Sequence, residues 1–148
     1  MTRNGFTLVE LMVVVTLVAL AGAAVVMTMS TGPGAATKTA SRFASRLGAA
    51  RDAAIVTGTP VTVWTSSSGY GFERMVGGQW TPVDEKPLQS SDWPEGVSVS
   101  GAAKSATQMN RIRFDAMGLS GELASLHFAD AEGRTEVRVE PGGDIVVR

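Results

Sequence analysis

An α+β architecture, a long N-terminal helix followed by an antiparallel two-sheet β-sandwich, follows from the patterning of this 148-residue chain. An unbroken apolar run opens the sequence, and a helix-period stripe of small apolar residues comes next. Short β-branched and aromatic runs cut by turn residues fill the remainder. Hydrophobic residues make up 44% of the chain, enough for one ordinary core, although a large share of them sits at the N-terminus. A formal net charge of -1 provides no whole-chain basic field that would attract nucleic acid. The absence of cysteine removes disulfides and thiolate chemistry, and with a single histidine it leaves transition-metal sites short of donors. Neither a cofactor nor a metal is expected.

The first element is the apolar run. From Phe6 to Met29 the only residues that are neither hydrophobic nor small are Glu10 and the threonines 7, 16 and 28. That is membrane-spanning length, since roughly 20 apolar residues at about 1.5 Å each cross a hydrocarbon core of about 30 Å. Arg3 and the amino terminus carry the only charges ahead of it, which predicts a cytoplasmic N-terminus with the rest of the chain outside. A cleavable secretory signal fits part of this pattern, because "ALAGAA" at 19–24 offers small-x-small cleavage after Ala21 or Ala23. Glu10 opposes it. A charge at mid-membrane costs about 3 kcal/mol, less towards the end where Glu10 sits, and an ordinary signal has no use for that cost. The leader "MTRNG" is also short and polar, and it ends in glycine directly before phenylalanine.

Gly5-Phe6-Thr7-Leu8, followed by Glu10 and a long apolar helix, resembles the class III signal of type IV pilins and type II secretion pseudopilins. The resemblance implies that a prepilin peptidase cuts between Gly5 and Phe6 and methylates the new terminus to N-methylphenylalanine at Phe6. It also implies a role in subunit assembly for Glu10. When such helices pack in a stagger without lipid, the cationic amine of a neighbour's Phe6 can stand against Glu10. A buried carboxylate left alone is strongly unfavourable, whereas a paired one is tolerated and sets the register between helices.

"STGPGAAT" at 30–37 punctuates the chain, because Pro33 lacks an amide donor and glycines flank it, so a helix breaks or kinks there. In the segment that follows, Ala36, Ala40, Phe43, Leu47, Ala50 and Ala54 fall on one stripe, with Lys38, Ser41, Ser45 and Asp52 opposite. Small alanines let this helix lie close to a sheet, and Gly58 with Pro60 ends it. Strands are predicted at 61–65, 70–75, 79–83, 97–100, 111–114, 123–128, 136–140 and 145–147. The last three read as a meander with turns at "DAEGR" and "EPGGD". The predicted strands suffice for two sheets packed face to face with the amphipathic helix against one of them. The organisation is a leader at 1–5, a membrane and assembly helix at 6–31, an amphipathic continuation at 32–58 and a periplasmic β domain at 59–148. The connections at 84–96 and 101–110 are expected on the surface.

The domain carries a narrower resemblance. "ARDAAIVTGTPVTV" at 50–63 resembles the helix-to-strand junction of GspH/FimT-type minor pseudopilins and minor pilins. "WTPV" at 80–83 and "WPEGVSV" at 93–99 are similar to stretches of the type II secretion H subunit, and "IRFDAMGLSGE" at 112–122 resembles the Phe-x-x-x-Gly segment of both branches. The calcium-loop and disulfide signatures of major subunits are missing, which favours a minor role. One departure is that Met27 stands where pilin helices often carry proline, and the break has moved to Pro33.

Other chemistry is weighed on the same residues. Ser125, His127 and Asp130 nominally supply a nucleophile, a base and an acid, but no strained nucleophile elbow surrounds the serine, and catalysis is not expected. Asp84, Glu85, Asp92 and Glu95 could offer oxygens to calcium, yet their spacing matches no defined motif. DNA binding, associated with the FimT branch, would need arginines 134, 138 and 148 to outweigh acids 130, 132, 136, 140 and 144, unless folding adds Arg111 and Arg113. Among Trp64, Trp80 and Trp93, at least one or two belong in the core, and Trp93 is the one expected to be exposed for a partner contact.

The resemblance implies a non-enzymatic minor pseudopilin of a type II secretion system. It would be anchored in the bacterial inner membrane and assembled with the major pseudopilin and the other minor pseudopilins (I, J and K types) into a periplasmic pseudopilus that drives export of folded proteins. A minor type IV pilus subunit acting in pilus assembly or DNA uptake, with nucleic acid as a partner, and a secreted β-sandwich binding module remain the alternatives.

Overall fold

A computed structural model describes residues 7–28, 32–101 and 110–148, with the side chains of 24–28 outside the description. The leader at 1–5, Phe6 and most of the 101–110 connection therefore lie outside the described residues. The chain divides into two compact units between Gly32 and Pro33.

The first unit contains helix α1, Leu8–Thr28. Thr7 caps it, accepting the Glu10 amide on its hydroxyl at 3.3 Å and the Leu11 amide on its carbonyl at 3.2 Å. Thr16 turns its hydroxyl onto the Met12 carbonyl at 2.8 Å, which hides the polar group inside an apolar sequence. Among the described residues no helix is long and apolar enough to cross a membrane.

The second unit is built around helix α2, Ala35–Thr57. All six stripe positions, from Ala36 to Ala54, are buried, and Lys38, Ser41, Ser45 and Asp52 are exposed, as the spacing predicts. Gly58 ends the helix in the left-handed region (φ 63°), its amide reaching the Ile55 carbonyl at 3.3 Å.

Two antiparallel sheets follow. The first orders β3 (Gln79–Pro82), β2 (Gly69–Val76), β1 (Val61–Thr65) and β6 (Asn110–Phe114), and β4 (Ser91–Asp92) adds to the Gly69–Tyr70 end of β2. The second orders β5 (Ser98–Gly101), β7 (Ala124–Ala129), β8 (Arg134–Val139) and β9 (Ile145–Val147). Strand β4 is too short to show any alternation and is not foreseen by the sequence. Helix α2 meets strands of both sheets, β1 and β6 of the first and β7, β8 and β9 of the second, where the sequence predicts packing against one. Its alanines allow this, because a narrow helix face leaves room for Phe43 and Leu47 among Val63, Phe114, Phe128 and Val137 in one core.

The segment between β6 and β7 explains the glycine of the Phe-x-x-x-Gly stretch. Asp115 accepts the amides of Met117 and Leu119 on Oδ1 at 2.8 and 2.9 Å and so folds the turn. Gly118 then adopts φ 78°, where a Cβ would come within 2.7 Å of Ile55 Cδ1, and its carbonyl accepts Arg51 Nε at 3.1 Å. The amides of Ser120 and Gly121 both bind the Pro141 carbonyl at 3.1 Å, so this segment ties the end of α2 to the β8–β9 turn.

Expressed without residues 1–32, the second unit is expected to unfold in one cooperative transition under denaturant. Leu47→Ala is expected to lower its stability by about 2–5 kcal/mol. Gly118→Ala is expected to lower it by about 1–3 kcal/mol through backbone strain.

Candidate functional site

Among the described residues of the first unit, helix α1 has no apolar partner. Leu8, Val9, Leu11, Met12, Val13, Val14, Val15, Leu17, Val18 and Leu20 are all exposed, and even the least exposed of them, Val14, is at 46%. These residues face every direction around the helix axis, so the helix is apolar all round and needs lipid or neighbouring helices to cover it. Glu10 stands exposed in its first turn. The ion pairs among the described residues join Arg111 to Glu73 and Arg138 to Glu136, and the Glu10 carboxylate takes part in neither. Gly5 and Phe6, the predicted cut and methylation positions, lie outside the described residues.

Asp130 does different work from the catalytic orienting acid weighed in the sequence. Gly34 precedes α2 and has no side chain with which to cap it. Asp130 Oδ2 accepts the Ala36 amide at 2.7 Å from 94 residues away, and Oδ1 accepts the amides of Glu132 and Gly133 at 2.8 and 2.9 Å. Thr37 and Thr135 share a hydroxyl hydrogen bond of 2.8 Å beside it. The Ala36 amide, with those of Glu132 and Gly133, holds the Asp130 carboxyl below the usual carboxylate range. His127 projects from the half-exposed face of β7 between Ser100 and Glu136, and Ser125 lies on the same face. Because both Asp130 oxygens bind backbone amides, the three residues do not form a triad.

The connection at 84–96 is pinned by a residue that local sequence does not mark. Arg46 of α2 donates to the Pro87 carbonyl (2.9 Å), the Gln89 carbonyl (2.5 Å) and the Tyr70 hydroxyl (2.7 Å), and its guanidinium lies over the Tyr70 and Phe72 rings. Trp93 is drawn into the same cluster. Its ring stacks on Tyr70 at 4.6 Å and meets Phe43 and Phe128 edge-on at 5.4 Å, while Nε1 donates to the Ser66 carbonyl at 2.8 Å. The exposure predicted for Trp93 is therefore corrected: it is half-buried, as Trp64 and Trp80 are, and its ring is engaged inside the unit. Among the described residues, no three His, Asp or Glu side chains stand close enough together to hold a metal ion.

The arginines are divided between the sheets. Arg111 and Arg113 lie on β6, with Arg111 paired to Glu73 at 2.8 Å and Arg113 over the Trp80 ring at 5.6 Å. Arg134 and Arg138 lie on β8, and Arg138 leans on Glu136 at 3.3 Å.

Comparison with known proteins bears on both units. A family model described as type II transport protein GspH matches residues 39–143, and the prokaryotic N-terminal methylation motif matches residues 1–26. Type II secretion system protein H of Escherichia coli strain K12 is 35% identical over 108 residues, which cover 66% of this chain and 63% of that protein, just under two thirds of its length. The minor pseudopilin EpsH from the type 2 secretion system of Vibrio cholerae superposes with a TM-score of 0.65 at 16% identity, covering 78% of this chain and 97% of that one. The type IV minor pilin FimU of Pseudomonas aeruginosa superposes with a TM-score of 0.58 at 15% identity, covering 76% and 87%. At these identities the two structures carry the shared fold alone.

The Asp130 cap makes stability depend on pH with a definite sign. A carboxyl whose folded value is depressed stabilises fully above its unfolded value, near about pH 4, and that contribution is lost as pH falls through the folded value. The gap in unfolding midpoint between wild type and Asp130→Asn is expected to be constant above about pH 5 and to close below about pH 4. Chemical denaturation across this range measures it.

Proposed function

The chain belongs to the type II transport protein GspH family, and from that membership we propose that it is a minor pseudopilin of a type II secretion system. It acts by assembly and not by catalysis. The observation that carries this reading is α1, a helix apolar on every side whose Glu10 carboxylate joins no ion pair among the described residues, under an N-terminal methylation motif. Such a helix has two environments that suit it, a bilayer before assembly and a bundle of like helices after it.

In the proposed sequence of events the precursor sits in the inner membrane as a single-pass protein, with its N-terminus cytoplasmic and the second unit periplasmic. Prepilin peptidase cuts after Gly5 and methylates Phe6. The helix then leaves the lipid and joins the major pseudopilin and the other minor pseudopilins, with Glu10 against the Phe6-type amine of a neighbour. Growth of the periplasmic pseudopilus moves folded substrates towards the outer membrane. Burying Glu10 without that amine would be strongly unfavourable, so the pair excludes wrong registers more than it adds affinity.

The likeness to FimU keeps a type IV pilus role as a second reading, one that would call for phosphate contacts. The pairing of Arg111 with Glu73 and of Arg138 with Glu136 argues for the secretion reading.

Mass spectrometry of the membrane-bound protein is expected to find a chain beginning at N-methylated Phe6. A chain beginning at Gly22 or Ala24 would instead mark an ordinary secreted domain. Glu10→Ala is expected to be inserted and processed normally yet to reach filaments at roughly a tenth of the wild-type level or less, the loss of one buried pairing partner being worth several kcal/mol. Quantitative blotting of sheared filaments reads the difference, and unchanged incorporation would refute the role of Glu10.

A further inference from the structure

Strand β6 ends the first sheet, and its outer edge opens into a cavity. The Ser66 amide donates to the Gly69 carbonyl at 2.8 Å and the Met75 amide to the Pro60 carbonyl at 3.1 Å, so Thr62 and Trp64 of β1 bond to β2. The alternate residues Val61, Val63 and Thr65 therefore bond to Phe114, Ile112 and Asn110 of β6. That leaves the backbone amides and carbonyls of Arg111 and Arg113 pointing away from β1. The next amide that points the same way, on Asp115, is taken by the Leu119 carbonyl at 3.0 Å. Among the described residues no backbone partner takes the corresponding groups of Arg111 and Arg113. The cavity beside this edge measures about 680 Å³ and is shared with the segment that leads into β7. Ile112 and Leu126 are its buried members, whereas Leu119 and Leu123 keep 42% and 58% of their surface exposed. At five residues β6 is longer than β3, β5 and β9, the other strands that end a sheet. It holds no proline to block pairing, while β3 ends in Pro82.

Amides and carbonyls spaced along a strand edge select an extended backbone, because only another strand meets them in register. Charge favours an uncharged one. Arg111 and Arg113 line the cavity together with Asp115 and Glu122, two residues of each sign, so a run of either sign meets repulsion. A second copy of this chain is a poor occupant. Only Arg111 and Arg113 present outward groups, so antiparallel pairing of β6 with itself sets arginine opposite arginine in every register, and like charges directly opposite are destabilising. In a strand from another protein, the residues opposite Arg111 and Arg113 lie on the outward face of the sheet. The residue between them, opposite Ile112, turns into the cavity among the leucines. We propose that β6 takes an extended, uncharged segment of a partner protein as an added strand, polar opposite Arg111 and Arg113 and apolar opposite Ile112. The inference goes beyond assembly through α1 and does not depend on Glu10.

NMR titration of the full-length 15N-labelled chain in lipid nanodiscs tests it, with the capped peptide Thr-Thr-Val-Thr-Thr as the probe. The peptide is expected to bind and to slow hydrogen exchange at the Arg111 and Arg113 amides by about tenfold or more. N-methylation of its second and fourth residues removes the donors that face β6 and is expected to weaken binding by about tenfold or more. N-methylation of the valine alone leaves those donors in place and is expected to bind as the parent peptide does. Arg113→Pro deletes an outward amide without removing a bond to β1, and it is expected to weaken binding to a similar degree. Arg113→Gln, which keeps that amide, and Glu10→Ala are expected to bind as wild type does, so a failure of the Glu10 role leaves this result readable. Unchanged unfolding midpoints exclude loss of fold in the variants, and the N-methylated peptides read the same pairing on the wild-type chain. Absence of binding at millimolar concentration, equal binding by the doubly N-methylated peptide, or exchange protection of the Arg111 and Arg113 amides in the free chain would overturn the proposal. Tighter binding of a counterpart with glutamate or lysine at its second and fourth positions would overturn it too, by making charge the selecting feature.

Discussion

A carboxylate on a helix that is apolar on every side is costly to bury unless a cation meets it. Among the described residues, helix α1 exposes its leucines and valines in all directions and sets Glu10 among them in no ion pair. The apolar surface by itself would be satisfied by lipid or by any bundle of helices. The charge narrows the choice, because it makes every register unfavourable except those that bring a cation to it. In the proposed assembly a neighbouring subunit supplies that cation, and this dependence is what a subunit of a filament needs.

The second unit is organised so that α2 is fixed by contacts made far along the chain. Its start is capped by Asp130 and braced by the Thr37–Thr135 hydrogen bond. Its middle holds the 84–96 connection through Arg46, and its end is clasped by Gly118 through Arg51. Each tie satisfies a backbone group that would otherwise lack a partner, the uncapped first turn in one case and loop carbonyls in the others. One helix lying against both sheets thus gives one core.

The sequence makes local periodicity legible and long-range partnership largely illegible. The stripe from Ala36 to Ala54 and the helix end at Gly58 could be read because burial and capping repeat at fixed spacings. Strand β4 escaped because two residues cannot alternate, and Trp93 was misjudged because a loop position flanked by Asp92 and Pro94 looks solvent-facing until Tyr70, Phe43 and Phe128 come together around it. Asp130 looked like a spare acid for the same reason, since its main partner lies 94 residues away. For the assembly helix the reverse holds: its signal is compositional and confined to one segment, and so it stands out before any fold is known.

The contact between Glu10 and a neighbour's N-terminal amine is most directly tested by solid-state NMR on assembled pseudopili. This chain would carry 13C at its glutamate carboxyls and the other subunits 15N at their amino termini. A dipolar coupling between Glu10 Cδ and a partner's N-terminal nitrogen, corresponding to about 4 Å or less as for an ion pair, is the predicted result. A Glu10 carboxyl with no such coupling in filaments that contain the chain would contradict it.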